Sequence, residues 1–185
     1  DKYIAFPVLG PGGQLFCVLY DPEDNTQDEI VALDAQTLQP RHRFGLSLLN
    51  DARGMAVRGE ELFVCDAGND RLQVFSLAGE HRRSITGEWK RPAGLCFVKD
   101  RLYLVEEEYG DEEDEEDEEG ELINPLQGRR IFVLSLQGDT LQVYTHPVEG
   151  QIFYALCCFG GKLLAPVRDR HSSFHVRAVM ALCGV

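Results

Sequence analysis

The chain of 185 residues is 44% hydrophobic and 26% charged, with a formal net charge of -13. This is enough apolar material for one globular domain, and its longest apolar runs, such as Ile152 to Phe159, fall far short of the roughly 20 residues that a membrane-spanning helix needs. The charge does not describe a uniformly acidic surface, because 13 of the 31 acidic residues lie between Glu106 and Glu121, leaving 18 against 18 Lys and Arg.

Taken in order, the apolar segments are four to eight residues long, rich in Val, Leu, Ile and Phe, and divided by Gly, Pro and Asp/Asn signals, which is the pattern of many short strands. Strands are expected from Gln14 to Val18 and from Glu29 to Leu33. They follow at Gly54 to Val57, Leu62 to Asp66, Arg71 to Phe75 and His81 to Thr86, then at Gly94 to Phe97 and Leu102 to Glu106. After an acidic stretch they resume at Arg130 to Leu134 and Thr140 to Thr145, and end with Tyr154 to Cys158, Lys162 to Ala165 and His175 to Val179. No stretch keeps helical spacing over a dozen residues, so the class is all-β.

The strands repeat. A shift of 40 residues lays Gly54-Met55-Ala56-Val57 on Gly94-Leu95-Cys96-Phe97 and Leu62 to Asp66 on Leu102 to Glu106. Beyond the acidic stretch, Arg71 to Gly79 matches Arg130 to Gly138 at an offset of 59, which makes the third unit 19 residues longer at one turn. Four antiparallel strands in about 40 to 45 residues is the length of a propeller blade. The first and fourth units are the more divergent copies.

The segments Gly87-x-Trp89-x-x-Pro92-x-Gly94-Leu95 and Asp66-x-x-Asn69-x-Arg71-Leu72-Gln73-Val74-Phe75-x-x-x-Gly79 resemble the NHL repeat of β-propellers. The likeness covers the second and third units closely and the first and fourth loosely. It implies a propeller, typically of six blades in that family, with Asp-x-x-Asn-x-Arg at the turn between the middle and outer strands. Four visible units are fewer than that, so the chain is expected to be a segment of a longer propeller. It would then leave an unpaired blade face and strand edges open to missing blades or another chain. Asp1 in place of an initiator Met fits a processed chain or a segment.

Function is carried less firmly by the residues. The acidic insert, 106–121, stands where the second unit has a short turn, and Asp111, Glu112, Glu113, Asp114, Glu115, Glu116, Asp117, Glu118 and Glu119 form its unbroken core. Such a block is either a solvated loop or a contact for a basic protein partner. It lacks the spaced ligands and turn Gly of a calcium loop. Cations near the predicted turns, among them Arg71, Lys90, Arg91, Arg129 and Arg130, offer a face for single-stranded RNA, which some NHL propellers bind, although few aromatics lie among them for base stacking. Trp89, the only Trp, stands at a position expected to pack between blades.

Some propellers are enzymes, notably calcium-dependent lactonases and a zinc-dependent amidating lyase, whose ligands converge on the central channel. At the corresponding strand starts this chain offers Asp51, Arg91 and Gly150, which is no ligand set, and no nucleophile elbow or phosphate loop occurs. The five His are expected on surface loops, without a metal-binding pair. The six Cys lack the spacing of a disulfide scaffold, and buried, reduced thiols are expected, which tilts the compartment toward the cytoplasm. The resulting expectation is a non-catalytic propeller platform for a protein partner, without cofactor, metal or membrane. Single-stranded RNA binding and a calcium-dependent lactonase-like hydrolase are the alternatives.

Overall fold

β-Branched and aromatic runs become strands wherever turn residues bound them in the computed structural model. It describes residues 2–21, 24, 28–107, 128–148, 151–153, 155–169 and 176–182, with backbone alone for 168–169 and 176–182. Two compact units, Asp1–Pro92 and Ala93–Val185, divide the chain. In the first unit, β1 (Tyr3–Leu9), β2 (Gln14–Tyr20), β3 (Glu29–Asp34) and β4 (Pro40–Phe44) make one antiparallel sheet in that order. A second sheet follows as β5 (Ala52–Arg58), β6 (Glu61–Asp66), β7 (Arg71–Ser76) and β8 (His81–Thr86).

The second unit repeats the scheme with β9 (Pro92–Val98), β10 (Arg101–Glu106), β11 (Arg130–Leu134) and β12 (Thr140–Thr145). Its last sheet holds β13 (Gln151–Phe153), β14 (Cys157–Phe159), β15 (Lys162–Asp169) and β16 (Val176–Leu182). Here β13 and β14 lie end to end along β15, Gln151 opposite Asp169 and Phe159 opposite Lys162, so together they take the inner-strand position. The chain is therefore all-β, built of four antiparallel sheets of the propeller-blade kind.

Period-two alternation accounts for the cores. Phe16 and Val18 on β2, with Ile30 and Ala32 on β3, face Met55, Leu62, Val64 and Phe75 of the next sheet, while Cys17, Leu19, Val31 and Leu33 form a separate buried cluster from the alternate positions. In the second unit Cys96, Tyr103, Val105, Ile131 and Val133 pack with Phe153, Leu163, Ala165 and Val167. Each fully buried Phe or Leu contributes about 1.5–3 kcal/mol of transfer free energy. Trp89 is buried as expected, and a Cβ on Gly87 would overlap its six-membered ring, which explains the Gly two residues before it.

Other positions depart from expectation. Strand β1 is not expected from its sequence, because Pro7 breaks its apolar run. Three of the inner-strand positions also share an irregularity: register advances by one residue between Ala5 and Val8, between Ala52 and Met55, and between Phe153 and Cys157. Of the cysteines, Cys17, Cys65 and Cys96 are buried and free, but Cys157 and Cys158 are free and exposed beside Phe159, which is 77% exposed. Burial without a cationic partner raises the thiols of Cys17 and Cys65, and pushes Cys96 up to about 12. Cys183 lies outside the described residues.

Of the described histidines, two lie in strands and the third, His146 in the connection after β12, is a loop residue but not a surface one. His42 and His81 sit within β4 and β8 and donate to the Leu77 carbonyl and to Gln73 Oε1, and His146 is buried. His171 and His175 fall outside the described residues.

Candidate functional site

The turn between the middle and outer strands differs most between neighbouring blades. In the second sheet a single 3-10 turn, Ala67–Asn69, joins β6 to β7, and Asp70 closes it in the left-handed conformation that Asp tolerates. Asp66 is wholly buried and accepts from every side: from the Asn50 amide at 2.7 Å, Asn69 Nδ2 at 3.0 and 3.1 Å, and Arg71 Nε at 2.6 Å. Gln73 Nε2 reaches it at 3.4 Å and the Leu48 carbonyl at 3.2 Å, while Gln73 Oε1 accepts from His81 Nε2 and Ser84 Oγ. This is the arrangement by which a buried carboxylate becomes tolerable.

The third sheet keeps the clasp and enlarges the turn. Glu106, at the end of β10, is buried and accepts a two-pronged bond from Arg130, Nε at 2.9 Å and Nη2 at 2.5 Å. The Arg130 guanidinium also lies 4.9 Å from the Phe132 ring centroid. Glu106 therefore belongs to the scaffold and is not the first residue of a solvated insert, which corrects the expected 106–121 boundary. The strands carrying the turn are paired from Leu102↔Leu134 to Val105↔Ile131. The acidic core from Asp111 to Glu119 lies outside the described residues.

A second cluster forms where the inner strands begin. Asp51 and Arg91, 40 residues apart, both adopt left-handed backbone, with φ of 49° and 42°. They meet as an ion pair at 2.6 Å, and Arg53 Nε closes on Asp51 at 2.7 Å. Two further acids clasp one blade to the strand start of the next. Asp28 Oδ2 accepts from the Ala52 amide at 2.6 Å and Asp70 Oδ1 from the Arg91 amide at 2.6 Å. In the second unit the Gly128 carbonyl plays that part for the Phe153 amide at 2.8 Å. Sequence reading missed these clasps, and the one signal for them is an acid immediately before two of the outer strands.

Asp28, Asp51 and Arg53 line a pocket of about 280 Å³ with Ala5, Phe6, Tyr20 and Ala52. Asp51 is neutralised there by two guanidinium groups, whereas Asp28 is only 1% exposed, and burial, with Asp51 nearby, raises its carboxyl above the ordinary range against the pull of the Ala52 amide. Because the folded chain holds this proton more tightly than the unfolded chain, the contribution of Asp28 to stability falls as pH rises from the ordinary Asp range through the raised folded value. Asp28→Asn, which keeps an acceptor for Ala52, is thus expected to be more stable than the parent at neutral pH and equal to it below the ordinary Asp range. Urea midpoints at the two ends of that window check this, and a parent that is the more stable at neutral pH would refute it.

The cations proposed for nucleic acid are all engaged within the chain. Arg71 holds Asp66, Lys90 holds Asp70 at 3.0 Å, Arg91 holds Asp51, Arg129 donates to the His146 carbonyl at 2.9 Å, and Arg130 holds Glu106. Arg71, Lys90 and Arg91 stand in the first unit and Arg129 and Arg130 in the second. No group of three or more His, Cys, Asp or Glu among the described residues is placed to hold a metal ion, and no described helix is long and apolar enough to cross a membrane.

No protein-family model and no curated protein sequence matches the chain. Solved structures do. The nidogen/laminin complex matches with a TM-score of 0.65 at 14% identity, over 99% of this chain and 65% of that one. The glutaminyl cyclase of Myxococcus xanthus matches at 0.61 and 18%, over 98% and 66%. The Pan2 WD40 domain of Neurospora crassa matches at 0.61 and 8%, over 97% and 50%. The chain thus spans about half to two thirds of these structures. Likeness at such identities establishes the fold alone, and that fold is the β-propeller.

Proposed function

We propose that this β-propeller is a non-catalytic platform that binds a basic protein segment through the enlarged turn between β10 and β11. The observation that carries the reading is the turn's foundation. Glu106 and Arg130 form the same acid–arginine clasp as Asp66 and Arg71, so the hairpin core is kept while 19 residues are added beyond it. Nine consecutive acids, from Asp111 to Glu119, select a partner rich in Lys and Arg by charge.

The blades read as NHL-type, because the motif residues Asn69 and Arg71 both bond the motif's Asp66. A reducing compartment such as the cytoplasm suits the five free described thiols, two of them exposed. Deleting 111–119 is expected to abolish capture of polylysine while the thermal transition is retained, and capture by the parent should weaken steeply as salt rises. Unchanged capture by the deletion variant would end this reading.

A further inference from the structure

The outermost strands of the first three sheets share one irregularity. Register shifts between Ala32↔His42 and Leu33↔Pro40, between Val74↔Arg83 and Phe75↔His81, and between Val133↔Gln142 and Leu134↔Thr140. The bulged residue is Arg41, Arg82 and Leu141 in turn. Bulges, prolines and long cationic side chains are what keep a free strand edge from pairing with another chain. Strand β4 has all three in Pro40, Arg41 and Arg43, and β8 has Arg82 and Arg83.

Strand β12 keeps the bulge alone. It reads Thr-Leu-Gln-Val-Tyr-Thr, without a charge, and Leu141 and Val143 are 47% and 39% exposed. It ends its sheet's order, so its outer edge has no strand partner among the described residues. The His146 amide donates to the Arg129 carbonyl at 2.8 Å, which fixes the alternation: residues 142, 144 and 146 bond inward, and the N–H and C=O of Val143 and Thr145 point outward.

We infer that the β12 edge is a strand-addition site for an extended peptide of alternating apolar and polar residues flanked by Lys or Arg. Past the bulge at Leu141 the ladder is regular, and Val143, still exposed, stands on the side opposite Gln142 and Tyr144, so an apolar residue of the peptide can lie beside Val143 and a polar one beside Gln142. The flanking charge follows from position. Thr145 is paired with Arg130, whose guanidinium is taken by Glu106, so that end of β12 lies at the base of the hairpin into which the acidic sequence is inserted. A second copy of the chain would bring the same net charge of -13 against itself, which favours a basic peptide over self-pairing. This inference rests on the basic-partner reading above and adds the place and mode of contact.

The test uses the 185-residue chain and two synthetic peptides. One carries three lysines before an alternating Val-Thr hexapeptide; the other is identical but N-methylated at alternate hexapeptide amides, so that charge stays and ladder bonding goes. The first is expected to bind and to protect the Val143 and Thr145 amides from hydrogen exchange, and the second to bind at least about tenfold more weakly. Val143→Pro, which removes one outward N–H and leaves the inward ladder, is expected to match that loss, whereas Val143→Thr retains binding.

Equal affinity for the two peptides, or binding without protection at Val143 and Thr145, overturns the inference. So does protection that arises on concentrating the protein alone, with a dimer in sedimentation. The two readings fail separately: salt-sensitive binding without edge protection leaves the acidic turn standing and removes the edge, and edge protection that survives deletion of 111–119 with unchanged affinity does the reverse.

Discussion

Asp66→Ala is expected to destabilise the protein by about 3 kcal/mol, the lower end of the range for breaking a buried ion pair, because Arg71 is partly exposed and can recover some hydration. The substitution removes the acceptor for the Asn50 amide, Asn69 Nδ2, Arg71 Nε and Gln73 Nε2 together. Buried donors left without partners account for most of the cost. Hydrogen exchange should accelerate first at the β6–β7 end of the second sheet, where Asp66 pairs with Arg71 in register. A urea-unfolding free energy within about 1 kcal/mol of the parent would mean that water replaces the carboxylate and that the clasp is not the centre of this blade.

The same geometry changes how a nucleic-acid role must be tested. Reversing Arg71 and Arg130 to Glu would set each new carboxylate against a buried acid, Asp66 or Glu106, and lost RNA binding could then reflect a lost fold. Lys90, exposed and paired across the surface with Asp70, is the cleaner position for charge reversal, since exposed pairs contribute about 0–1 kcal/mol.

Most strands were legible because they are short apolar runs, continuously buried in the middle of each blade, and their turns carry their own chemistry. The segments from Leu62 to Asp66, Arg71 to Phe75, His81 to Thr86 and Thr140 to Thr145 lie within β6, β7, β8 and β12. Strand β1 was not legible because Pro7 interrupts it and reads as a breaker, and its apolar Tyr3, Ile4, Phe6 and Leu9 are all exposed. Strand β4 escaped because its Pro-Arg-His-Arg sequence has the composition of a loop.

The site was legible only in outline. Offset matching finds the enlarged turn and lays Glu106 on Asp66 at the end of a strand, but a run of like charge gives no hint that Glu106 is buried and paired, because that depends on Arg130, 24 residues away across the insertion. Nor can composition show that cations clustered near turns are already neutralised, since Arg91 finds Asp51 across a full repeat.

Glu106→Ala is accordingly expected to cost about 3–5 kcal/mol, more than the same change at Asp66, because Arg130 is the better buried of the two arginines and would be left as an uncompensated charge. Replacing both partners by apolar residues, Glu106→Leu with Arg130→Met, should recover most of that loss, since burying two charges is itself costly and the Met stem still covers Phe132. A double-mutant cycle on urea-unfolding free energies separates the pair from its surroundings. Additive single-variant losses would show that the two groups are not coupled and that the hairpin core does not depend on them. If they are coupled, polylysine capture tells whether the clasp matters for binding: the apolar pair restores the fold but not the original geometry at the base of the turn. Capture that returns with stability means the acidic sequence needs only an intact hairpin, and capture that stays low means that Glu106 and Arg130 also set the direction in which the acids leave the sheet.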